Sequence, residues 1–394
     1  MGFDVGLKGD QGTSRAMNRR LVLNLLRANG PLSRAEMANI TGLSPATLTF
    51  VVSDLLAENV LIEGKSTIGA AGRRPVPVDI NYGSRLAVGL KLMVGSIDCV
   101  LTDLATTTLH ATRIEIADQT PESIVAGCAD AVAYLSKFAP QGAQITGVGV
   151  AMPGVIQAGV CHRSLRFGWS DVPIASMIAE RLHVPVWVED DINAFALAQQ
   201  LFGLGRHHRT VGALAIGVGI SCAVIIDGSV HHGAHGAAGK LGHIMFDPQG
   251  PRCECGRAGC LQAMFSEPAL VEQWRKLTGN PGAIRQDILA AAEVGDAAAI
   301  DLLGRAGAGI GQTLAAFCNI VDPELIVVGG EAVLFGDFLF DPLRQSLAKH
   351  CTWLPPKVEP HWADDSWARG AAALATQQLF DFEASDGAMR AMPA

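Results

Sequence analysis

Three of the nine cysteines are crowded into one short segment, at Cys253, Cys255 and Cys260, and His243 precedes the first of them by ten residues. Three thiolates and one imidazole make a complete donor set for a closed, tetrahedral zinc site. Because four protein ligands leave no open coordination position, the pattern predicts a structural zinc ion. The alternative is that the three cysteines are reduced and hold no metal.

The composition describes a folded chain of two or three domains. It has 394 residues, of which 49% are hydrophobic and 17% charged, so a large core is available and global disorder is excluded. Every long apolar run is interrupted by glycine or polar residues, and the N-terminus lacks a signal-peptide pattern. We therefore expect a cytoplasmic protein without membrane contact.

The formal net charge of −8 is unevenly distributed along the chain. Residues 1–82 hold nine basic and seven acidic residues, whereas the remainder holds 21 basic and 31 acidic residues. A mildly basic head on an acidic body suits a protein that touches DNA at one end.

The first 80 or so residues have the pattern of a winged helix-turn-helix. Apolar spacing over 19–28 predicts a first helix. Ser33 and Glu36 form a capping box that opens a second helix, which ends at Gly42. Ser44 is placed to cap a third helix, and a proline follows it at the first helical position. Helix, short glycine turn and helix is the helix-turn-helix arrangement.

The outward face of the third helix is predicted to contact DNA, because a recognition helix reads base edges in the major groove with its N-terminal residues. Threonine hydroxyls can donate to bases or phosphates, and threonine methyls can touch thymine. The alternative is an ordinary surface face. The predicted contacts are Ser44, Ala46, Thr47, Thr49 and Phe50.

Two short strands around a glycine-rich basic loop predict the wing. The strands are expected near 60–62 and 76–80, and the loop carries Arg73 and Arg74. Arginines on such a loop can enter a narrow minor groove, where the potential is most negative. The alternative is that this stretch is only a linker.

From Arg85 onward strands alternate with helices, and a scheme of paired strands followed by a helix occurs twice. This predicts two related α/β lobes with a cleft between them. The expected strands are 86–92, 97–101, 146–151, 184–188, 211–217, 221–227 and 325–328, and the expected helices are 121–138, 193–202 and 366–379.

The body resembles the ROK family (repressors, open reading frames and sugar kinases) over roughly residues 14–380. The residues that carry the resemblance are Gly242-His243 with Cys253-x-Cys255-Gly256-x-x-Gly259-Cys260, the segment 148–154, Phe167-Gly168-Trp169 with Val172-Pro173, and Glu189-Asp190-Asp191-Ile192-Asn193-Ala194. The head resembles that of the family's repressor branch.

The resemblance implies an α/β architecture. An N-terminal winged helix-turn-helix is followed by a two-lobed actin-like, hexokinase-like (ribonuclease H-like) domain with a structural zinc site. The expected limits are 1–82 for the DNA-binding domain, 83–194 with helix 366–382 for the first lobe, 195–365 for the second lobe, and 383–394 for a disordered tail.

The loop that holds ATP in the family's kinases is altered. Those kinases open the body with an Asp-x-Gly-Gly-Thr phosphate loop, and here Lys91 stands in place of the aspartate. Met93 and Val94 replace glycines, whose lack of a side chain lets backbone amides approach phosphate. Phosphoryl transfer depends on positioning and charge neutralisation, so we predict an inactive kinase domain. A second phosphate loop is retained at 217–220.

The sugar site implied by the resemblance is altered as well. Asp191 matches the catalytic base and is predicted to be vestigial, although its carboxylate can still accept a hydrogen bond from a sugar hydroxyl. Asp190 replaces an asparagine, Lys240 replaces a glutamate and Arg166 replaces a further asparagine. The expected effector site comprises Arg166, Asp190, Asp191, Lys240, His243 and Gln262.

The basic replacements predict an anionic effector, such as a sugar phosphate or a sugar acid, whose charge pairs with Lys240 and Arg166. The alternative is a degenerate pocket in which Lys240 merely balances Asp190 or Asp191.

We expect a sequence-specific transcriptional regulator, and more specifically a repressor, of carbohydrate-related genes. A sugar or sugar derivative would control it, and a homodimer or homotetramer would read a palindromic operator. One alternative is an active, ATP-dependent ROK sugar kinase with an appended DNA-binding head. Another is a scaffold whose body binds a protein and no small ligand.

Overall fold

The structure is a computed structural model that describes residues 11–64 and 76–380. The predicted wing residues Arg73 and Arg74 and the predicted tail 383–394 lie outside the described residues. Within the described ranges, no helix is long and apolar enough to cross a membrane.

The head is a winged helix-turn-helix, as predicted. Its antiparallel sheet has the strand order β1-β3-β2. The first helix is longer than the predicted 19–28. The elements are α1 Gln11–Asn29, β1 Leu32–Ser33, α2 Arg34–Thr41, α3 Pro45–Ala57, β2 Leu61–Glu63 and β3 Pro77–Ile80.

Local capping sets the helix boundaries of the head. The Ser33 side chain accepts from the Glu36 amide, and the Glu36 carboxylate accepts from the Ser33 amide at 2.8 Å, which completes the predicted capping box. Gly42 ends α2 in the left-handed conformation, with φ +70°. Ser44 caps α3 by accepting from the Thr47 amide at 3.1 Å.

The first sheet of the body has five strands in the order β11-β7-β4-β5-β6. The predicted hairpin is β4 with β5. A small three-stranded sheet, β10-β9-β8, extends from it. The elements are β4 Arg85–Met93, β5 Ser96–Thr102, β6 Thr108–Glu115, α4 Pro121–Leu135, β7 Gln144–Met152, β8 Val155–Gln157, β9 Val160–Ser164, β10 Trp169–Val172, α5 Ile174–Leu182 and β11 Val186–Asp190.

The second sheet also has five strands, in the order β14-β13-β12-β15-β16. Two α/β units with paired strands are therefore present, as the alternation predicted. The elements are α6 Asp191–Phe202, β12 Val211–Ile216, β13 Ile220–Ile226, β14 Ser229–Val230, α7 Leu261–Phe265, α8 Glu267–Thr278, α9 Arg285–Glu293, α10 Ala297–Val321, β15 Leu325–Gly329, α11 Asp337–His350, β16 Lys357–Pro360 and α12 Ser366–Thr376.

The last helix, α12, packs directly on the first sheet. A Cβ atom at Gly89 would lie 1.9 Å from the Ala368 carbonyl oxygen, and one at Gly149 would lie 1.7 Å from that of Ala371. Only glycine leaves room for this close approach of helix and strands. The predicted lobe boundary at 194/195 falls inside α6, which contacts both sheets and α12, and the domain limits stay a prediction.

The head is joined to the body through α1 and the segment that follows β3. The Arg27 guanidinium donates to the Leu201 carbonyl and lies 5.7 Å above the Phe380 ring. The Leu104 amide, in the turn between β5 and β6, donates to the Tyr82 carbonyl at 3.0 Å. The buried cluster of the head therefore continues into α6, α12 and this turn.

Candidate functional site

The predicted metal ligands come together in the structure. The four ligand atoms of His243, Cys253, Cys255 and Cys260 all lie within 4.8 Å of one another. His243 Nδ1 is 3.6 Å from Cys253 Sγ, and Cys255 Sγ is 3.6 Å from Cys260 Sγ. Metal–sulfur bonds of about 2.3 Å in a tetrahedron give ligand separations of about 3.8 Å. The donor set therefore fits a metal ion, as the spacing predicted.

Two further features concern this cluster: the conformation of its loop and the pKa values of its thiols. Gly259 has φ +66°, and a Cβ atom there would lie 1.5 Å from the Asp247 carbonyl oxygen, so the turn requires glycine. Burial raises the pKa of Cys255, but hydrogen bonds from the backbone and side chain of Arg257 outweigh it and lower that pKa to about 7. Burial and the neighbouring thiols raise the pKa of Cys260 to about 12. A divalent cation relieves this crowding of thiolates.

Asp190 and Asp191 lie where β11 passes directly into α6. The strand runs two residues beyond its predicted end at 188, because Asp190 is still paired with Met152 of β7. The helix likewise begins at Asp191 and not at the predicted Asn193. The two carboxylates are therefore held by regular elements and not by a loop.

Lys91, which is predicted to replace the aspartate of the kinase phosphate loop, is an ion-pair partner of Asp191. Its side chain is only 8% exposed, and its ammonium group lies 5.4 Å from the centre of the Trp367 ring. A buried lysine with a carboxylate on one side and an aromatic face on the other is held in place. The carboxylate of Asp191, the predicted vestigial base, is therefore engaged by a neighbouring cation.

Lys240 lies beyond β14 and pairs across the cleft with Asp190. The same ammonium group donates to the Gly154 carbonyl oxygen at 2.8 Å. Lys240 thus balances the charge of Asp190 in this structure. This is the arrangement expected if Lys240 does not pair with an anionic effector.

The two carboxylates differ in their pKa values. Burial and the neighbouring charge of Asp191 raise the pKa of Asp190 to about 7, although Lys240 opposes this. Burial also acts on Asp191, but the ammonium of Lys91 outweighs it and lowers the pKa of Asp191. Burial lowers the pKa of Lys240, but the charge of Asp190 outweighs it and leaves that pKa raised.

Further contacts cross the cleft beside Lys240. His232 Nε2 lies 2.7 Å from Glu189 Oε2. Arg166 donates to the Val218 carbonyl at 3.2 Å and lies 3.8 Å from Glu254. No signal in the sequence indicated the pairing of His232 with Glu189, because the pairing depends on how the two sheets face each other.

Gln262 connects the predicted effector residues with the metal ligands. Its buried amide donates to Glu254 Oε1 at 2.9 Å and lies 3.6 Å from Cys253 Sγ. Since Glu254 also lies 3.8 Å from the Arg166 guanidinium, Gln262 and this ion pair connect the metal loop with one side of the cleft.

The predicted second phosphate loop at 217–220 is the hairpin turn between β12 and β13, where the Gly217 amide donates to the Gly219 carbonyl at 2.9 Å. A Cβ atom at Gly217 would lie 2.0 Å from Glu331 Oε2. A carboxylate against this turn disfavours a phosphate by charge repulsion. No sequence signal indicates that Glu331 lies there.

The predicted recognition face of α3 is largely accessible. Ala46, Thr49 and Phe50 are exposed, and Thr47 is half-buried. The Thr49 hydroxyl donates to the Pro45 carbonyl at 2.7 Å, and the Thr47 and Ser44 hydroxyl oxygens are 2.9 Å apart. The helix itself engages these hydroxyls, so the face presents methyl groups and an aromatic ring.

A basic residue of α1 that the sequence analysis did not single out lies beside this face. The Arg15 guanidinium is 4.9 Å from the centre of the Phe50 ring and also pairs with Asp54. Its side chain is 50% exposed. The sequence signal that could have found it is the basic cluster at 15–20.

Comparisons with known proteins place the chain. Residues 87–378 match the ROK family, and residues 18–62 match a winged helix-turn-helix DNA-binding family. The Bacillus subtilis xylose repressor is 28% identical over 344 residues, which is 86% of this chain and 88% of that protein. The Escherichia coli DNA-binding transcriptional repressor Mlc is 27% identical over 84% of both chains. A Thermotoga maritima glucokinase is 31% identical over 68% of this chain and 90% of its own.

Solved structures agree with these relatives. A ROK family transcriptional regulator described as a homologue of the E. coli MLC protein superposes with a TM-score of 0.81 at 26% identity, covering 94% of this chain and 98% of its own. A Streptomyces griseus ROK glucokinase in complex with glucose and AMPPNP gives 0.66 at 27% identity, covering 74% and 99%. The Cys3His cluster, the two-sheet body and the winged helix-turn-helix head thus lead to one conclusion: the chain belongs to the ROK family.

Proposed function

We propose that the protein is a sequence-specific DNA-binding transcriptional regulator, acting as a repressor of carbohydrate-related genes. The observation that carries this is the ion pair of Lys91 with Asp191 in a ROK body that bears a DNA-binding head. The repressors among the relatives support it, because their similarity extends over more than four fifths of this chain, whereas that of the glucokinase covers 68%.

The body is proposed not to transfer phosphate from ATP. A base must be within hydrogen-bond reach of the proton that it takes, and here the Lys91 ammonium engages Asp191. The carboxylate of Glu331 against Gly217 is a second obstacle, because it adds negative charge where phosphate would bind. Both features argue against the alternative of an active sugar kinase.

The metal is proposed to be zinc with a structural role. Three thiolates and one imidazole at tetrahedral separations are a soft donor set that zinc prefers. We expect about one zinc per chain by elemental analysis. Cys255→Ser should lose the metal and melt at a lower temperature, whereas Cys351→Ser, a half-buried cysteine outside the cluster, should keep it.

The effector is proposed to be a carbohydrate that binds in the cleft near Arg166, Asp190, Asp191, His243 and Gln262. Because Lys240 already pairs with Asp190, a neutral sugar that hydrogen-bonds to these carboxylates fits the charges better than an anion does. An anionic sugar would have to draw Lys240 away from Asp190. Melting temperatures of the protein with neutral, phosphorylated and acidic sugars distinguish a neutral from an anionic effector. Stabilisation only by phosphorylated or acidic sugars would favour the anionic effector.

The oligomer is proposed to be a homodimer or homotetramer that reads a palindromic operator. One recognition helix covers only a half-site, so two heads are needed for a long operator, spaced by one helical turn or a multiple of it. Effector binding would change how the two halves of the body close, and with it the spacing of the heads.

The test begins with selection of a DNA site by the purified protein. Fluorescence anisotropy should then give a specific complex that a sugar weakens. Phe50→Ala should reduce the affinity at least tenfold, whereas Phe138→Ala, an exposed phenylalanine of the body, should leave it unchanged. Absence of any selected site would contradict the proposal.

A coupled assay of ADP release addresses the kinase alternative. We expect no turnover above background with ATP and the same sugars. Sugar-dependent turnover that Asp191→Ala abolishes would overturn the proposal that the body is inactive.

A further inference from the structure

A second cavity, of about 470 Å³, lies apart from the cleft. Its walls are the end of α6 with the 3-10 turn Leu204–His207, the start of α12, and the turn between β5 and β6. This volume lies within the range of small-molecule sites, about 300–1,000 Å³. None of the predicted effector residues lines it.

The lining is cationic. It contains two guanidinium groups and two imidazoles, and no carboxylate is among the described residues that line it. The apolar part of the lining is provided by Phe202 and Leu204. The basic residues are Arg206, His207, His361 and Arg369.

Hydrogen bonds hold the two guanidinium groups at the cavity wall. Arg369 Nε donates to the Thr106 carbonyl at 2.8 Å, and Arg206 Nε donates to His207 Nε2 at 2.9 Å. Arg369 forms an ion pair with Asp365 at 3.9 Å, which partly balances its charge. Among the described residues, no carboxylate forms an ion pair with Arg206. The cavity therefore keeps an excess of positive charge.

We propose that this cavity is a second ligand site, for a small organic anion that carries a phosphate group or two carboxylates. Guanidinium groups bind such anions with two parallel hydrogen bonds, which neutral sugars cannot accept with the same strength. Phe202 and Leu204 offer contact to the carbon skeleton of the ligand. The site is distinct from the effector cleft and does not depend on the proposed role of that cleft.

Two of the elements that line the cavity, α6 and the turn between β5 and β6, also contact the head. Leu201, one residue before Phe202, accepts the hydrogen bond from Arg27, and the Phe202 ring is 5.8 Å from that of Phe380. Leu104, two residues before Thr106, donates to Tyr82. A ligand that draws the end of α6 and the turn between β5 and β6 together therefore acts directly on the contacts between head and body. The consequence for DNA affinity rests on the proposed function, whereas the binding itself does not.

The experiment uses inorganic phosphate and malonate as probes on the full chain, with chloride at equal ionic strength as the reference. Isothermal titration and melting temperature should show saturable binding of at least one probe. Which probe binds more tightly decides between phosphate and dicarboxylate ligands. Arg206→Gln, an exposed position, should weaken binding at least tenfold, and Arg369→Gln should do the same.

Two control variants make the result specific. Arg181→Gln changes an exposed arginine of α5 and should leave probe binding unchanged. Arg166→Gln changes the arginine of the cleft and should also leave it unchanged. Binding that is lost with Arg166→Gln but not with Arg206→Gln, or stabilisation equal to that by chloride, would overturn the proposal.

DNA affinity is the second readout. Saturating probe should change the affinity of the wild type for its selected site at least threefold, and Arg206→Gln should abolish that change. If the protein selects no DNA site while the probe still binds through Arg206, the second site stands and the proposed regulator does not.

Discussion

Asp190 and Asp191 are neighbours in the chain, yet their lysine partners come from different parts of the molecule. Lys91 lies on β4, in the sheet whose strand β11 ends at Asp190, whereas Lys240 follows the last hairpin strand of the other sheet. The first pair engages Asp191, the predicted vestigial base. The second pair joins the two halves of the body. A single strand-to-helix junction thus serves two different purposes.

The surroundings of the two carboxylates differ as well. The Asp190 side chain is 5% exposed, and the charge of Lys240 opposes the rise in its pKa that burial causes. The Asp191 side chain is 17% exposed, and the charges of both Lys91 and Lys240 act against burial and lower its pKa. Removing Lys240 therefore leaves the buried Asp190 without a cationic partner, whereas removing Lys91 leaves Asp191 with Lys240.

The largest effect is expected from Lys240→Met. It leaves Asp190 buried without its partner, which should lower stability by about 3 kcal/mol, or by roughly 5–10 °C in melting temperature. The variant should also open the cleft, which small-angle X-ray scattering detects as a larger radius of gyration.

The double variant with Asp190→Asn and Lys240→Met sharpens this test. Neutralising both partners should recover more than half of the lost stability, because no uncompensated charge remains. Lys276→Met removes an exposed ion pair of α8 and should cost little. A loss of stability for Lys240→Met that is no larger than for Lys276→Met would contradict the role of the Lys240–Asp190 pair across the cleft.

Lys91→Met should have a smaller effect, about 2 kcal/mol, because Asp191 keeps the field of Lys240 and more access to water. Methionine preserves the packing on Trp367. The radius of gyration should stay at the wild-type value, because this pair lies within one half of the body. Opening of the cleft by Lys91→Met as large as by Lys240→Met would remove the distinction between the two pairs.

The smallest effect is expected at the pairing of His232 with Glu189. The hydrogen bond to Glu189 raises the pKa of His232, so the folded protein binds this proton more tightly than the unfolded chain does. Its contribution is complete below about pH 6.5 and is lost as the pH rises through the higher folded value. Because His232 is half exposed, we expect only about 0.5 kcal/mol.

His232→Gln should therefore lower the melting temperature at pH 6 by one or two degrees, roughly, and have almost no effect at pH 8.5. His231→Gln, at the neighbouring exposed position, is the matched control. A constant difference between wild type and His232→Gln across this pH range would show that the pairing adds no pH dependence.

The elements of the fold were predictable because local signals are strong in this chain. The capping residues Ser33 and Ser44 fix the head helices, and alternating apolar runs fix the strands of both sheets. The cysteine spacing predicted the metal cluster, because its ligands are close in sequence and a tight loop brings them together. His243, ten residues before the first cysteine, is predicted as the fourth ligand because it completes a tetrahedral donor set.

Contacts between distant segments were not predictable. The partners of Lys91, Lys240 and His232 depend on how two sheets face each other, and no periodicity encodes that. The end of β11 was placed two residues early because pairing with β7 extends it past the apolar run. Arg15 and Glu331 were missed for the same reason, since their roles arise only where elements meet.

The contact of α12 with Gly89 and Gly149 has a consequence for biosynthesis. The ribosome makes β4 (Arg85–Met93) and β7 (Gln144–Met152) early, but the helix that covers them begins only at Ser366. The first sheet therefore keeps one apolar face open until α12 has emerged, and the buried cluster of the head also lacks its residues from α12 until then. We therefore expect chains truncated before residue 366 to be less stable and more sensitive to protease than the full chain.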